Sequence, residues 1–182
     1  MSTALVVMDL QREIFDRYPE QGPSLTHTVR RAVDHAHQSG VTVIFVRVAF
    51  RNGFPEIGSG NSTFWAGRQP PMTESDPSTQ FVAGIGQTDE DIVVIKRRIS
   101  AFSGTDFEMI LRAQRVTDLV LCGISTSGCV LSTLRQAADL DYRITVLRDA
   151  CIDGDPVVQE VLLNTIFPRQ ATVCTVDEWI TQ

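Results

Sequence analysis

Short apolar runs rich in β-branched residues recur along the chain, and stretches with a helical hydrophobic period lie between them. The runs are 4–8, 41–48, 91–96, 119–122, 142–147 and 171–176. Each is apolar at consecutive positions, not alternate ones, the pattern of strands covered on both faces. The intervening stretches carry helix punctuation. Ser24 can cap a helix with the stripe Leu25, Val29, Ala32, Val33 and Ala36, closed by Gly40. Thr105 and Glu108 have capping-box spacing ahead of Phe107, Ile110 and Leu111. Val130, Leu134, Ala137 and Ala138 mark a third stripe, and Asp155 before Pro156 opens a fourth that continues through Val158, Val161, Leu162 and Ile166. Strands alternating with helices imply right-handed crossovers and a parallel sheet in an α/β fold.

One segment breaks the alternation. Residues 49–90 are too long for an ordinary connection, rich in glycine and proline, and carry Phe50, Phe54, Phe64, Trp65 and Phe81. Two readings stand side by side: a surface excursion or subunit contact, and a lid that brings aromatic groups over a site. Both hold if a neighbouring subunit closes the pocket.

Composition narrows the possibilities. The 182 residues predict one domain, 1–182, with that excursion built into it. A formal net charge of −6 with no basic block argues against nucleic acid and anionic membrane as partners. Mean hydropathy is +0.01, and no apolar run approaches the ~20 residues a membrane span needs. The opening MSTALVVMDL has no basic flank, and its apolar stretch is cut by Asp9, so it reads as a strand and not as a leader. Four cysteines without C-x-x-C spacing, in an acidic chain, predict free thiols in a reducing cytoplasm.

In an open parallel sheet, ligands bind beyond the carboxyl ends of the strands. Three unlike reactive groups fall there. Asp9 closes the first strand, Lys96 the third, and Cys129 sits in the first turn of the helix after the fourth. Singly, a charged strand end is commonly solvated, and a cysteine near a helix start is commonly a small buried hydrophobe. Together they make a nucleophile site. A helix N-terminus and a nearby ammonium lower a thiol pKa, Asp9 can accept the thiol proton, and Lys96 can hold that carboxylate charged and in place.

Competing arrangements fail on residues. A serine nucleophile elbow needs glycine at 127, where serine stands. His27, His35 and His37 all lie on the first long helix, away from the rim, which leaves no histidine for a Ser-His-Asp or Cys-His site and no spaced ligand set for a catalytic zinc. Gly84 and Gly86 lack the rest of a dinucleotide fingerprint, and there is no P-loop. Cys122 and Cys174 read as buried strand residues, and Cys151 lies near the rim after the fifth strand.

Three ordered motifs carry a resemblance over essentially the whole chain: Val-Val-Met-Asp9-Leu-Gln11; Val-Ile-Lys96-Arg-Arg-Ile-Ser100-Ala-Phe102-Ser-Gly-Thr-Asp106; and Leu-Cys-Gly-Ile124-Ser125-Thr126-Ser-Gly-Cys129-Val. In these the sequence resembles the isochorismatase-like cysteine hydrolases. The resemblance implies a Rossmann-like, three-layer α/β/α domain with a six-stranded parallel sheet. It implies a catalytic triad of Asp9, Lys96 and Cys129, the three residues reached above from strand ends. It further implies a cis peptide joining Ile124 to Ser125, and an oxyanion hole built from the backbone N–H groups of Ser125 and Cys129. A homo-oligomer, dimer or larger, is also implied.

Departures from the family pattern matter as much. The nicotinamidase branch binds a metal through an Asp-x-His pair after the second strand, where this chain reads Arg47-Val48-Ala49-Phe50-Arg51. Neither a metal nor another cofactor is therefore expected. The branch that opens the vinyl ether of isochorismate does without the cysteine, so Cys129 tilts the expectation to carbon–nitrogen bonds of a small molecule: amide, ureide or carbamoyl, through a thioester. The alternatives are a vinyl-ether hydrolase with Asp9 as acid, and a non-catalytic small-molecule-binding or redox-thiol protein. Phe15, Phe50, Trp65 and Phe102 are the expected apolar pocket wall, with core or interface as the competing role. Arg47, Arg51 and Arg68 are candidates to meet a substrate carboxylate.

Overall fold

The computed structural model describes residues 2–64 and 72–181. Six strands form one sheet in the order β3-β2-β1-β4-β5-β6: β1 (Ser2–Met8), β2 (Thr42–Val48), β3 (Ile92–Lys96), β4 (Val116–Ile124), β5 (Arg143–Ile152) and β6 (Thr172–Cys174). Every pairing is parallel. Around it lie α1 (Arg12–Phe15), α2 (Gly22–Gln38), α3 (Phe107–Ala113), α4 (Leu131–Asp139), α5 (Pro156–Val161) and α6 (Val176–Ile180). Helices flank both faces of the sheet, which explains the unbroken apolar runs. Residues 4–8 of β1, at the sheet centre, are wholly buried, as is the α2 stripe of Val29, Ala32, Val33 and Ala36. No helix among the described residues is long and apolar enough to cross a membrane.

The strand order fixes where a site can form. From β1 the chain winds outward through β2 and β3, then returns to place β4 on the other side of β1. The direction of winding reverses between β1 and β4, and a crevice opens beyond their carboxyl ends. Cys129 is held on that rim by a π-helical turn, Thr126–Val130, that runs directly into α4.

All six strands form where the apolar runs predict, with differences at their ends that have local causes. β4 starts earlier, at the polar stretch Val116-Thr117-Asp118, where Asp118 accepts from Arg143 of β5 at 2.6 Å. β5 runs on through exposed Arg148 and Asp149, because Asp149 accepts the Val176 N–H at 2.9 Å. β6 is short because the chain turns into α6 through a capping box of Thr175 and Glu178, whose spacing is present in the sequence. α2 begins at Gly22, with Pro23 in its first turn, so Ser24 is inside the helix and does not cap it. Glu108 completes no box with Thr105: it pairs with Arg112, and Asp106 stands at the N-cap. Asp155 caps α5 as predicted, accepting from Val157 and Val158.

The described parts of the excursion are fastened at their base. Phe50 exchanges backbone hydrogen bonds with Met72 and Glu74 at 2.8 and 3.0 Å. Gln11, wholly buried two residues beyond Asp9, donates to the carbonyls of Val48 (2.8 Å) and Thr79 (2.9 Å) and accepts the Val48 N–H (2.7 Å). One amide side chain thus joins the ends of β1 and β2 to the returning limb of the excursion.

Candidate active site

Asp9 leaves β1 with φ at +57°, in the left-handed region, while its N–H stays bonded to the Val46 carbonyl at 2.8 Å. A non-glycine residue there costs about 1 kcal/mol, which aspartate tolerates better than most. The turn directs the carboxyl into the crevice, where Oδ2 meets the Lys96 Nζ at 2.7 Å. Lys96 ends β3, two strands away from β1 with β2 between, a separation of ~9.6 Å. The long lysine stem spans that distance over the end of β2. Both headgroups are inaccessible, with side chains 2% and 6% exposed. The ammonium's second acceptor is the Arg98 carbonyl at 3.2 Å.

The backbone after β4 places the third group. Gly123 has φ at +137°, and the Ile124–Ser125 peptide is cis, at the position the family resemblance implies. The turn then carries Cys129 back over the strand end, so that its buried thiol donates to the Ile124 carbonyl at 3.0 Å. Asp9 Oδ1 is buried and has no hydrogen-bond partner. The resting thiol proton is thus engaged by a carbonyl, while the thiol and the Asp9 carboxyl lie close enough to shift each other's pKa.

The electrostatics depart from the sequence expectation in one respect. The Cys129 thiol is pushed well above its ordinary pKa, first by burial and then by Asp9, with Lys96 pulling the other way. The expected lowering fails because the ammonium is matched by Asp9 and the thiol is shut away from water. Burial likewise raises Asp9 above the usual carboxylate range, against the pull of Lys96. The geometry therefore stores a neutral thiol beside a carboxylate of raised basicity.

The three groups border one cavity of about 250 Å³, which Ser125 and Gly128 also line. Its apolar wall is Ile14, Val48, Phe64, Met72, Ile99 and Ile124, and its polar members include Arg17, Tyr18 and Thr63. Of the aromatic residues expected in that wall, Phe50 lies one layer back, 2% exposed and packed edge-on to Phe64 at 5.4 Å. Phe102 belongs to the main core against Phe107, and Phe15 packs over Gly22. None of these three borders the cavity, and Trp65 lies outside the described residues. The excursion does reach the site, through Thr63, Phe64 and Met72.

The arginines fall elsewhere too. Arg47 is buried and bonds to Thr79 Oγ1 at 2.9 Å, and Arg51 pairs with Glu56 at 2.6 Å, both serving the excursion. Arg68 lies outside the described residues. Among the described residues Arg17 is the arginine on the cavity; with Ile14 and Tyr18 it comes from the short segment after Asp9, which no periodicity marks. Cys122, Cys151 and Cys174 are buried free thiols off the cavity, and no histidine borders it. Among the described residues, no three His, Cys, Asp or Glu side chains are grouped to hold a metal ion.

The chain and its parallel-sheet fold have counterparts among known proteins. The Isochorismatase domain model matches residues 3–178. The chain belongs to the isochorismatase family of hydrolases. An uncharacterized isochorismatase family protein, YecD of Escherichia coli O157:H7, is 35% identical over 185 residues, spanning 97% of this chain and 94% of that one. Ureidoacrylate amidohydrolase RutB of Azorhizobium caulinodans is 31% identical, over 97% of this chain and 88% of that one. Among solved structures, N-carbamoylsarcosine amidase of Thermoplasma acidophilum superposes with a TM-score of 0.80 at 28% identity, covering 97% of this chain and 98% of that one.

Proposed function

We infer that this hydrolase cleaves a carbon–nitrogen bond of a small amide, ureide or carbamoyl compound through a thioester on Cys129. The observation that carries the reading is the adjacency of base and thiol: Asp9 is fixed through Oδ2 to Lys96 at 2.7 Å, its buried Oδ1 makes no bond to any other group, and its carboxyl and the Cys129 thiol act on each other in one cavity. A cavity of about 250 Å³ suits a molecule of few heavy atoms. The relatives whose names state an activity, an amidohydrolase of ureidoacrylate and an amidase of N-carbamoylsarcosine, support the same bond type.

Each step has an assigned group. Asp9 takes the Cys129 proton as sulfur attacks the carbonyl carbon; the raised carboxyl suits a base that must accept it, and the thiol needs no resting ionisation. The carbonyl oxygen gathers charge toward the backbone N–H groups of Ser125 and Cys129, each such donor being worth roughly 3 kcal/mol. The C–N bond breaks, and the proton on Asp9 passes to the departing amine or ammonia. Water then gives a proton to Asp9 and its oxygen to the thioester. The C–S bond breaks, and the proton returns to sulfur. Lys96 holds the carboxylate in one orientation throughout.

The test is ammonia release together with mass spectrometry of the intact protein, against ureides, carbamoyl amino acids and maleamate-type acids. An acyl adduct on Cys129, with turnover abolished in Cys129→Ala, is expected. Full activity in Cys129→Ala would overturn the thioester. Asp9→Asn is the matching variant for the base, because asparagine also tolerates the left-handed backbone at position 9 and so removes chemistry without adding strain.

A further inference from the structure

The cavity holds two cations among its described residues, and one of them is already committed. Lys96 is buried, and two of its three N–H donors go to Asp9 and to the Arg98 carbonyl. Arg17 is differently placed. It borders the cavity from the turn after α1, with a side chain 56% exposed, and its recorded partner is Glu13, one turn back, through a single Nη2–Oε1 contact at 3.1 Å. An exposed i,i+4 pair of this kind is worth only a few tenths of a kcal/mol. The guanidinium keeps a forked face of further N–H donors that a carboxylate can fill bidentately.

Its neighbour completes the group. Tyr18 borders the same cavity, and burial followed by the Asp153 charge raises its phenol above the ordinary value, so it is an O–H donor at neutral pH. Asp153 itself does not border the cavity; its carboxylate is held by the Ser127 N–H at 2.6 Å. The same cavity is lined by the apolar side chains of Ile14, Phe64 and Met72. A reacting carbonyl at Cys129 thus has a cation and a hydroxyl in the same small enclosure, separate from the groups that perform the chemistry.

We propose that Arg17 and Tyr18 read a carboxylate on the substrate, so that the compound opened at Cys129 is a small acid carrying its amide, ureide or carbamoyl group a few bonds away. The proposal rests on the hydrolase reading above and adds the substrate class and the residues that select it.

The test uses acid and methyl-ester pairs: N-carbamoylglycine, maleamate and succinamate, each beside its ester. Two quantities are read on the whole protein: protection of Cys129 from iodoacetamide, followed by peptide mass spectrometry, and ammonia release. At least one acid should protect Cys129 at a concentration about tenfold or more below that of its ester. Arg17→Gln should bring acid and ester together, Arg17→Lys should keep part of the difference, and where turnover is seen the Arg17→Gln loss should fall on KM more than on kcat. If no acid outcompetes its ester, or if Arg17→Gln leaves the preference intact, the carboxylate assignment is overturned. Failure of the hydrolase reading is visible separately: an acid would protect Cys129 selectively while no ammonia and no acyl adduct formed with any compound.

Discussion

Gly123 of β4 and Met8 of β1 approach so closely that a Cβ built on Gly123 would lie 2.0 Å from the Met8 carbonyl oxygen. Met8 precedes Asp9, and Gly123 precedes the Ile124–Ser125 turn that leads to Cys129. The segments that carry Asp9 and Cys129 therefore share one backbone contact at the switch between the two halves of the sheet. Gly123→Ala must push the strand ends apart as well as strain a backbone with φ at +137°. A destabilisation of roughly 2–4 kcal/mol is expected in urea unfolding. Whatever folded protein remains should lose activity beyond its loss of stability. A variant as stable and active as the parent would show that the strand ends separate at no cost.

Lys96→Met tests the ammonium as an electrostatic partner of the thiol. At the alkaline pH where the thiol ionises Asp9 is already charged, so loss of Lys96 leaves that charge unopposed beside Cys129. The cause that lowers the thiol pKa is removed while those that raise it remain. Alkylation of Cys129, followed at the peptide level, should move to higher pH than in the parent, and turnover should fall by about 10²-fold or more. An unchanged alkylation profile would remove the role assigned to Lys96.

The pH dependence of kcat/KM follows from the direction of the Asp9 shift. In the proposed mechanism Asp9 must be ionised to accept the thiol proton, and burial raises its pKa. Activity should therefore be low in acid and reach half its plateau above the ordinary aspartate value of about 3.9. A half-maximum at or below that value would contradict the buried setting of Asp9. Because the thiol is raised as well, alkylation of Cys129 near neutral pH should be slower than that of an exposed thiol.

The sequence carried the sheet and the three reactive positions because both are local signals. Residues 4–8 and 119–122 are apolar without interruption, and Asp9, Lys96 and Cys129 are conspicuous for breaking or following such runs. The cavity wall was not legible in the same way. Phe50 and Phe102 have the composition of a pocket wall, but whether a ring faces a cavity or the layer behind it depends on packing between distant segments. Phe50 supports Phe64, and Phe102 packs on Phe107. Arg17 and Tyr18 lie beyond a helix of four residues, too short to show a period, and their position on the cavity comes from the path of the chain after Asp9. The rise in the thiol pKa was also hidden, since a charge placed beside a group is apparent from sequence while the exclusion of water around it is not.

The excursion is tied to the site through the residue next to Lys96. Arg97 donates to Glu56 at 2.9 Å and pairs also with Glu74, gripping both described limbs of the segment that brings Thr63, Phe64 and Met72 to the cavity. Burial acts to raise Glu56, but hydrogen bonds from its own backbone, from the Arg51 side chain and backbone, and from the Arg97 side chain outweigh it, and the carboxyl is held below its ordinary pKa. A depressed acid contributes stability that is present above its unfolded pKa and is lost as pH falls through the folded value. The fastening should thus be complete at neutral pH and weaken below about pH 4.3. Arg97→Gln should loosen the wall at neutral pH, raising KM by roughly three- to tenfold with a smaller change in kcat, because Lys96, Asp9 and Cys129 are untouched. It should also lessen the acid dependence of stability in part, since one of the hydrogen bonds that lower Glu56 is lost while those from its own backbone and from Arg51 remain. Urea midpoints measured across the acid range, for the parent and for Arg97→Gln, check this directly: parallel curves would show that the grip of Arg97 on Glu56 contributes nothing to holding the excursion in place.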